Sequence, residues 1–332
     1  MTGKPLVLVI GSNSFSGADF IDLLIETGRY SVLGVSRSAE KSSVFLPYKK
    51  RDGADLSFEQ IDLNKDMRRL TALLDDKKPE YIVNFAAQSE VGPSWDSPWE
   101  WFQTNAVALT RLADALKGRK HLKRYVHISS PEVYGTCEGS VKEDAPLNPT
   151  TPYAASKAAG DLSLFTYVKN FDLPMVMIRS TNVYGAHQQL FKIIPRSVIN
   201  LKLGKTIELH GGGTAVKSYI HIRDVSRGEL LAMEHGENGL IYHLSPDRGV
   251  EVREVVRVIC AKLGRLFEDA TKTVAERLGQ DKAYLIDSTR ARTQLGWKSE
   301  VSLDAGVDSV VRWIERDWDV IRLQPLEYQH KA

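Results

Sequence analysis

Over the first half of the chain, short apolar runs alternate with longer stretches whose apolar residues recur at helical spacing. "PLVLVI", residues 5–10, has the pattern of a buried strand. It runs into "GSNSFSG", residues 11–17. The next segment sets Phe20, Leu23, Leu24 and Thr27 on one helical face before Gly28, a residue suited to end a helix. "YSVLGVSR", "FEQIDL", "YIVNFAA", "RYVHISS" and "PMVMIRS" read as further strands. Helical patterns separate them at "DMRRLTALLDD", at residues 97–117 and at residues 152–169. This rhythm predicts an α/β fold with a parallel sheet covered by helices on both faces.

Beyond about residue 182 the rhythm changes. Glycine and proline punctuate loops such as "ELHGGGTAVKS" and "HLSPDRGV". "YIHIRDV" and "LIYHLS" read as strands, and "EVREVVRVICAKLG" and "LDAGVDSVVRWIERDW" as amphipathic helices. The pattern predicts a smaller second domain interleaved with the first: residues 1–181 plus about 218–243 form one unit, and residues 182–217 and 244–332 the other. The last stretch, "RLQPLEYQHKA", reads as a loosely held tail.

Composition narrows the function classes. The 332 residues carry 44 basic and 42 acidic side chains, a net charge of +2, which supplies no general attraction to nucleic acid or to a membrane surface. An anion site must therefore be local. The opening apolar run is too short for a membrane span or a signal-peptide core. Two cysteines, Cys137 and Cys260, and eight histidines form no metal-ligand spacing, and the cysteine usage fits a reducing cytosol. No metal is expected.

Local chemistry is concentrated in two places. In "GSNSFSG", Gly11 permits a tight turn after the first strand, Gly17 lets the following helix approach closely, and the helix amides then face a diphosphate. Ser14 stands where the middle glycine of a dinucleotide-binding turn would be, and its small side chain fits a close approach. The second strand ends at Ser36 and Arg37 rather than at a carboxylate. An arginine there can hold a ribose 2′-phosphate, so NADP is slightly favoured over NAD. Asp62 is placed to accept from an adenine amino group or to cap the next helix.

The second place is "TPYAASK", which sets Tyr153 and Lys157 four residues apart on one helical face. A nearby ammonium favours the phenolate, and such a pair can exchange a proton near neutrality.

Taken with "NFAAQSEVGPSW", "SSPEVYG", "RSTNVYG", "KIIPR", "GGGTAVKSYIHIRDV" and "STRARTQLGW", these motifs make the chain resemble an extended short-chain dehydrogenase/reductase of the nucleotide-sugar branch, most of all the dTDP-glucose and GDP-mannose 4,6-dehydratases. The resemblance covers nearly the whole chain. It implies a Rossmann-type doubly wound sheet with a smaller α/β C-terminal domain for substrate, NADP or NAD as cofactor, a nucleotide-diphosphate hexose as substrate, and a homodimer built through the helices near 97–117 and 152–169. It implies that Ser130 and Tyr153 bond the sugar 4-hydroxyl, that Tyr153 takes its proton, that Lys157 bonds the nicotinamide ribose, and that Glu132 removes the C5 proton. It further implies that Phe15, Leu63, Ala86 and Ala87 border the cofactor, and that Gln88, Ser89, Asn182, Lys192, Arg196 and Lys217 reach the substrate. Lys217 stands where the family often has an arginine; a lysine keeps the charge and loses the bidentate fork.

One departure matters. Pro131 occupies the slot of an aspartate that protonates the leaving hydroxyl in the dTDP-glucose enzymes, and proline has no proton to give. The GDP-mannose enzymes also lack that aspartate and keep the glutamate. The departure leaves a 4-epimerase, which needs no glutamate, and a UDP-glucuronate decarboxylase as alternatives. A cofactor-binding sensor that has lost catalysis is a further one, against which the intact Ser130, Tyr153 and Lys157 speak.

Overall fold

A computed structural model describes residues 3–136, 139–275 and 285–331. Cys137 lies outside the described residues, and Cys260 is buried with a free thiol. In Leu6–Ile10 (β1) the side chains alternate: Val7 and Val9 enter one apolar cluster, Leu8 and Ile10 another. Such strands, apolar at every position, belong in a sheet covered on both faces.

The sheet joins β1 to Ser31–Ser36 (β2), Leu56–Gln60 (β3), Tyr81–Asn84 (β4), Arg124–Ile128 (β5), Met175–Ser180 (β6) and Ile241–Leu244 (β7) in the order β7-β6-β5-β4-β1-β2-β3. Every neighbouring pair is parallel. In β6 the division repeats, with Val176 and Ile178 on one face and Met175 and Met177 on the other. Strand order reverses between β1 and β4, and a crevice opens beyond the carboxyl ends of the strands at that switch.

Phe15–Thr27 (α1) starts at a serine cap and ends at Gly28, whose φ of +66° is left-handed. Met67–Lys77 (α2) follows β3. The helix expected over 97–117 is present in three parts: Pro98–Phe102 (α3), a π-helical turn at Gln103–Ala108, and Leu109–Leu116 (α4). Pro152–Phe171 (α5) packs along it, and Gly160 is the reason it can come so close, since a Cβ there would lie 2.2 Å from the Asn105 carbonyl oxygen.

"YIHIRDV" departs from the expectation of a strand. Only Tyr219–His221 is extended; the His221 side chain then accepts from the Arg223 amide at 3.2 Å and caps Ile222–His235, here α7 after Ile193–Lys202 (α6). Once the cap turns the chain, Val225, Leu230, Ala232 and Met233 share a buried face against Phe20 and Leu24 of α1. A further apolar cluster unites α6, Val252–Lys262 (α8) and Leu303–Arg316 through Val198, Val255, Ile259, Val310 and Trp313. Among the described residues no helix is long and apolar enough to cross a membrane.

The final stretch is not a loose tail. Leu326 packs against this last cluster, and residues 327–331 run back over the crevice between β1 and β4.

Candidate active site

Gly11 has φ +85°, and a Cβ on it would lie 2.8 Å from the Ala86 amide nitrogen. A Cβ on Gly17 would lie 2.5 Å from the Gly11 carbonyl oxygen. Both positions therefore demand glycine, and the turn lies flush against β4. Ser14 does more than fit: its hydroxyl caps α1 by accepting from the Gly17 amide at 3.0 Å. The amides of the first helical turn open onto a crevice of about 710 Å³.

Gly11, Ser14 and Phe15 line this crevice on one side, Ser36 and Arg37 at the end of β2, and Asp62 and Leu63 beyond β3. Ala86, Ala87, Gln88 and Ser89 line it beyond β4. Gly17 stands behind the turn. The Asp62 carboxylate accepts from the Asn64 amide at 2.8 Å, while Asp66, not Asp62, holds the cap position of α2. An elongated cleft with a glycine cradle, helix amides and a cationic Arg37 at its far end fits a dinucleotide cofactor.

Ser130, Glu132 and Tyr153 come together beyond the carboxyl end of β5, with Lys157 one turn further along α5; none of the four is among the residues lining the crevice. Ser130 is extended (φ −148°, ψ 142°), and its hydroxyl accepts from the Glu132 amide at 3.3 Å. Pro131 is the first residue of the 3₁₀ turn Pro131–Tyr134, where its fixed φ and missing N–H do no harm. Thus the proline starts the turn that carries Glu132. Gly135 ends it with φ +67°, and a Cβ there would meet the Asn148 carbonyl oxygen at 2.0 Å.

Tyr153 begins α5 under the Thr151 cap, which accepts from the Ala154 amide at 3.1 Å. Burial holds the Tyr153 phenol well above its usual range; the Glu132 charge raises it further, and a hydrogen bond with Ser130 lowers it. The expectation that a nearby ammonium favours the phenolate is therefore not met: burial and Glu132 raise the phenol instead. Lys157 is spent elsewhere: its Nζ donates to the Ile128 carbonyl at 2.8 Å. Burial depresses its pKa to about 8, opposed by the Asp161 carboxylate and helped by the Arg179 guanidinium.

Several residues here had no motif to announce them. Asp161, one turn beyond Lys157 and fully buried, accepts from Ser129 at 2.6 Å and from Arg179 at 2.8 Å. Asn105 accepts from the Gln88 amide at 2.9 Å, and donates at the same distance to the Gln88 carbonyl and to Ser156. It locks the β4 loop to α5. Asn13 donates at 2.9 Å to the carbonyls of Ser38 and Ala39, bracing the far wall. The spacing of Asp161 from Lys157 on one helix was the available signal; nothing in the sequence flagged the asparagines.

The expected substrate residues are less unified. Gln88 and Ser89 line the crevice, whereas Lys192 and Arg196 reach its rim through partners that line it: Lys192 pairs with Glu90 at 2.8 Å and Arg196 with Glu327 at 2.9 Å. Asn182 and Lys217 lie outside the lining, on the strand Asn182–Tyr184 and the strand Val216–Lys217. The Asn182 Oδ1 is buried without a hydrogen-bond partner. Of the tryptophans, Trp101 is core, while Trp95 and Trp99 are exposed.

Residues 8–310 match the sequence pattern of the family described as GDP-mannose 4,6 dehydratase. The chain belongs to this family. A dTDP-glucose 4,6-dehydratase from Neisseria gonorrhoeae is 28% identical over 332 residues, covering 94% of this chain and 96% of the relative. One from Streptomyces niveus is 35% identical over 233 residues, 70% of this chain and 69% of the relative. Among solved structures, the dTDP-glucose 4,6-dehydratase DesIV of Streptomyces venezuelae, with NAD bound, superposes with a TM-score of 0.86 at 31% identity, covering 95% of this chain and 98% of that one. The family member described here thus shares with DesIV the Rossmann-type sheet over nearly the whole length of both chains.

Proposed function

We propose that Ser130, Glu132, Tyr153 and Lys157 carry out the reaction of this chain, a nucleotide-sugar 4,6-dehydratase of the extended short-chain dehydrogenase/reductase type that works with NAD(P). The observation that carries the reading is the meeting of Glu132, Ser130 and the Tyr153 phenol beyond the carboxyl end of β5, the strand beside β4. When bound, NAD(P) supplies a hydride acceptor that takes hydride from sugar C4 and later returns it to C6.

The residues supply the proton chemistry. Tyr153 accepts the proton of the 4-hydroxyl, with Ser130 bonded to both oxygens. Lys157, fixed by Ile128, holds a positive charge next to the cofactor ribose. The 4-ketone acidifies the C5 proton, and Glu132 takes it. Pro131 offers no acid, so Glu132 passes that proton to the hydroxyl departing from C6, which leaves as water. The proton taken from the 4-hydroxyl balances the one restored to C5, and no net oxidation results.

Arg37, with no carboxylate at the end of β2, favours NADP over NAD. The part of the chain built on α6, α8 and Leu303–Arg316, residues 182–217 and 244–332, holds the nucleotide diphosphate, with Lys192, Arg196 and Lys217 as its cations. Exposed Trp99 and Phe102 on α3, Val107 beside it and Leu162 and Phe171 on α5 form an apolar surface that a second copy covers. The enzyme acts in the cytosol on a nucleoside-diphosphate hexose.

The test is a panel of nucleotide hexoses with mass spectrometry of the products. Loss of one water from one member, with NAD(P) unconsumed, supports the reading. An isomer of unchanged mass, or loss of carbon dioxide from a uronic acid, would replace it.

A further inference from the structure

One oxygen of the last described stretch lies where a cofactor would run. The Lys331 carbonyl accepts from the Gln88 side chain at 2.7 Å and from the Arg37 guanidinium at 2.9 Å. Gln88 lies beyond the carboxyl end of β4 and Arg37 at the end of β2, and β1 lies between these strands in the sheet. An atom bonded to both therefore sits over the carboxyl end of β1, above the glycine turn. That is the position a dinucleotide phosphate takes in a doubly wound sheet.

The segment that brings this oxygen there is anchored at each step. Glu327 pairs with Arg196 at 2.9 Å. The Tyr328 ring meets Phe191 edge-on, with centroids 5.5 Å apart, and its hydroxyl bonds His330 at 3.0 Å. The His330 ring stacks flat on Trp101, centroids 4.9 Å apart and planes 9° from parallel, and its Nε2 bonds Glu100. Core packing explains the course of the chain as far as Leu326. It does not explain residues 327–331, which touch the cleft instead.

We propose that residues 327–331 are an internal strap that occupies the dinucleotide cleft and competes with cofactor for Arg37 and Gln88, and with the substrate diphosphate for Arg196. The inference rests on the cleft and the rim being the cofactor and substrate sites of the proposed function. Every contact of the strap described above is a hydrogen bond, an ion pair or a ring contact, each of modest strength, so ligand can displace it. A strap closed nine-tenths of the time weakens the apparent affinity by roughly tenfold.

The test uses the full chain and direct binding of NAD and NADP by calorimetry. In the variant Glu327→Ala/Tyr328→Ala/His330→Ala, which touches no group of the proton relay, affinity should rise roughly tenfold. In Glu100→Cys/His330→Cys, oxidation closes the strap covalently; binding should vanish and return on reduction. Equal affinity in the triple variant and wild type, or undiminished binding by the oxidised double-cysteine variant, would overturn the strap. Wild-type protein that binds neither dinucleotide, with the triple variant equally inert, would overturn the cofactor site itself and the strap with it.

Discussion

Burial first, and then the charge of the nearby Glu132 carboxylate, hold the proton on the Tyr153 phenol. Ser130 works in the opposite direction through its hydrogen bond with the phenol. In the proposed mechanism the three groups form one proton relay, in which the base for C5 and the base for the 4-hydroxyl are coupled. Both sit on short, strongly constrained pieces of backbone: a 3₁₀ turn closed by Pro131 and Gly135, and the first turn of α5.

Replacing Glu132 by Gln separates the two tasks. The variant should lose overall dehydration by about 10²–10⁴-fold, the range for a positioned base. It should still oxidise C4, because Tyr153 and Lys157 remain, and the neutral amide should lower the phenol pKa. A rapid-mixing experiment that follows reduced nicotinamide at its absorbance band should show accumulation of the reduced form in the variant. Full turnover by Glu132→Gln would remove the glutamate from the mechanism.

The depressed pKa of Lys157 gives a second pair of measurements. Its charge is lost as pH rises through about 8, so kcat/KM of the free enzyme should fall above that pH. The stability sign follows from the same shift. The unfolded lysine holds its proton to about 10.4, so the fold bears the cost of the buried charge fully below about 8 and sheds it as pH rises toward the unfolded value. Lys157→Met should therefore abolish activity, and its effect on stability relative to wild type should become less favourable as pH rises from about 8 toward the unfolded value. Denaturant titrations at several pH values would check it.

Glu229 carries a cost of another kind. It is fully buried on α7, both carboxylate oxygens lack hydrogen-bond partners, and burial and then the nearby Asp19 charge raise its pKa well above the ordinary range. The fold keeps the proton, so its contribution is intact below the ordinary carboxylate pKa and is lost as pH rises from there toward the folded value. Glu229→Met, similar in size, should raise the melting temperature, more at pH 8 than at pH 5, by an amount on the order of 2–8 °C at the higher pH. An unchanged difference across pH would mean that Glu229 is ionised or paired.

Much of this arrangement was visible in the amino-acid order. β1, the glycine turn and α1 were legible because each needs a local property: an apolar run, glycine at Gly11 and Gly17, and helical spacing that stops at Gly28; the cap at Ser14 was not read. The Tyr153–Lys157 pair was legible because four residues make one helical turn. What was not legible depends on distance. α7 was hidden because a strand and a helix share "YIHIRDV", and only the His221 cap separates them. Asn105 and Arg179 act through partners from other elements, so no window of sequence contains their reason, and Asp161 offered only its spacing from Lys157. The strap was hidden for the same cause: Lys331 is more than 240 residues from Gln88, and its contact is made by a backbone oxygen that carries no side-chain signature.

The central claim is that hydride moves from C4 to C6 while a proton is drawn from C5. The most direct measurement uses a turned-over nucleotide hexose deuterated at C4, with the product analysed by NMR. The account predicts that the deuterium appears at C6 of a 4-keto-6-deoxy sugar, and that a second experiment in deuterated water labels C5. Deuterium found again at C4 of an isomer with its 6-hydroxyl intact would contradict it.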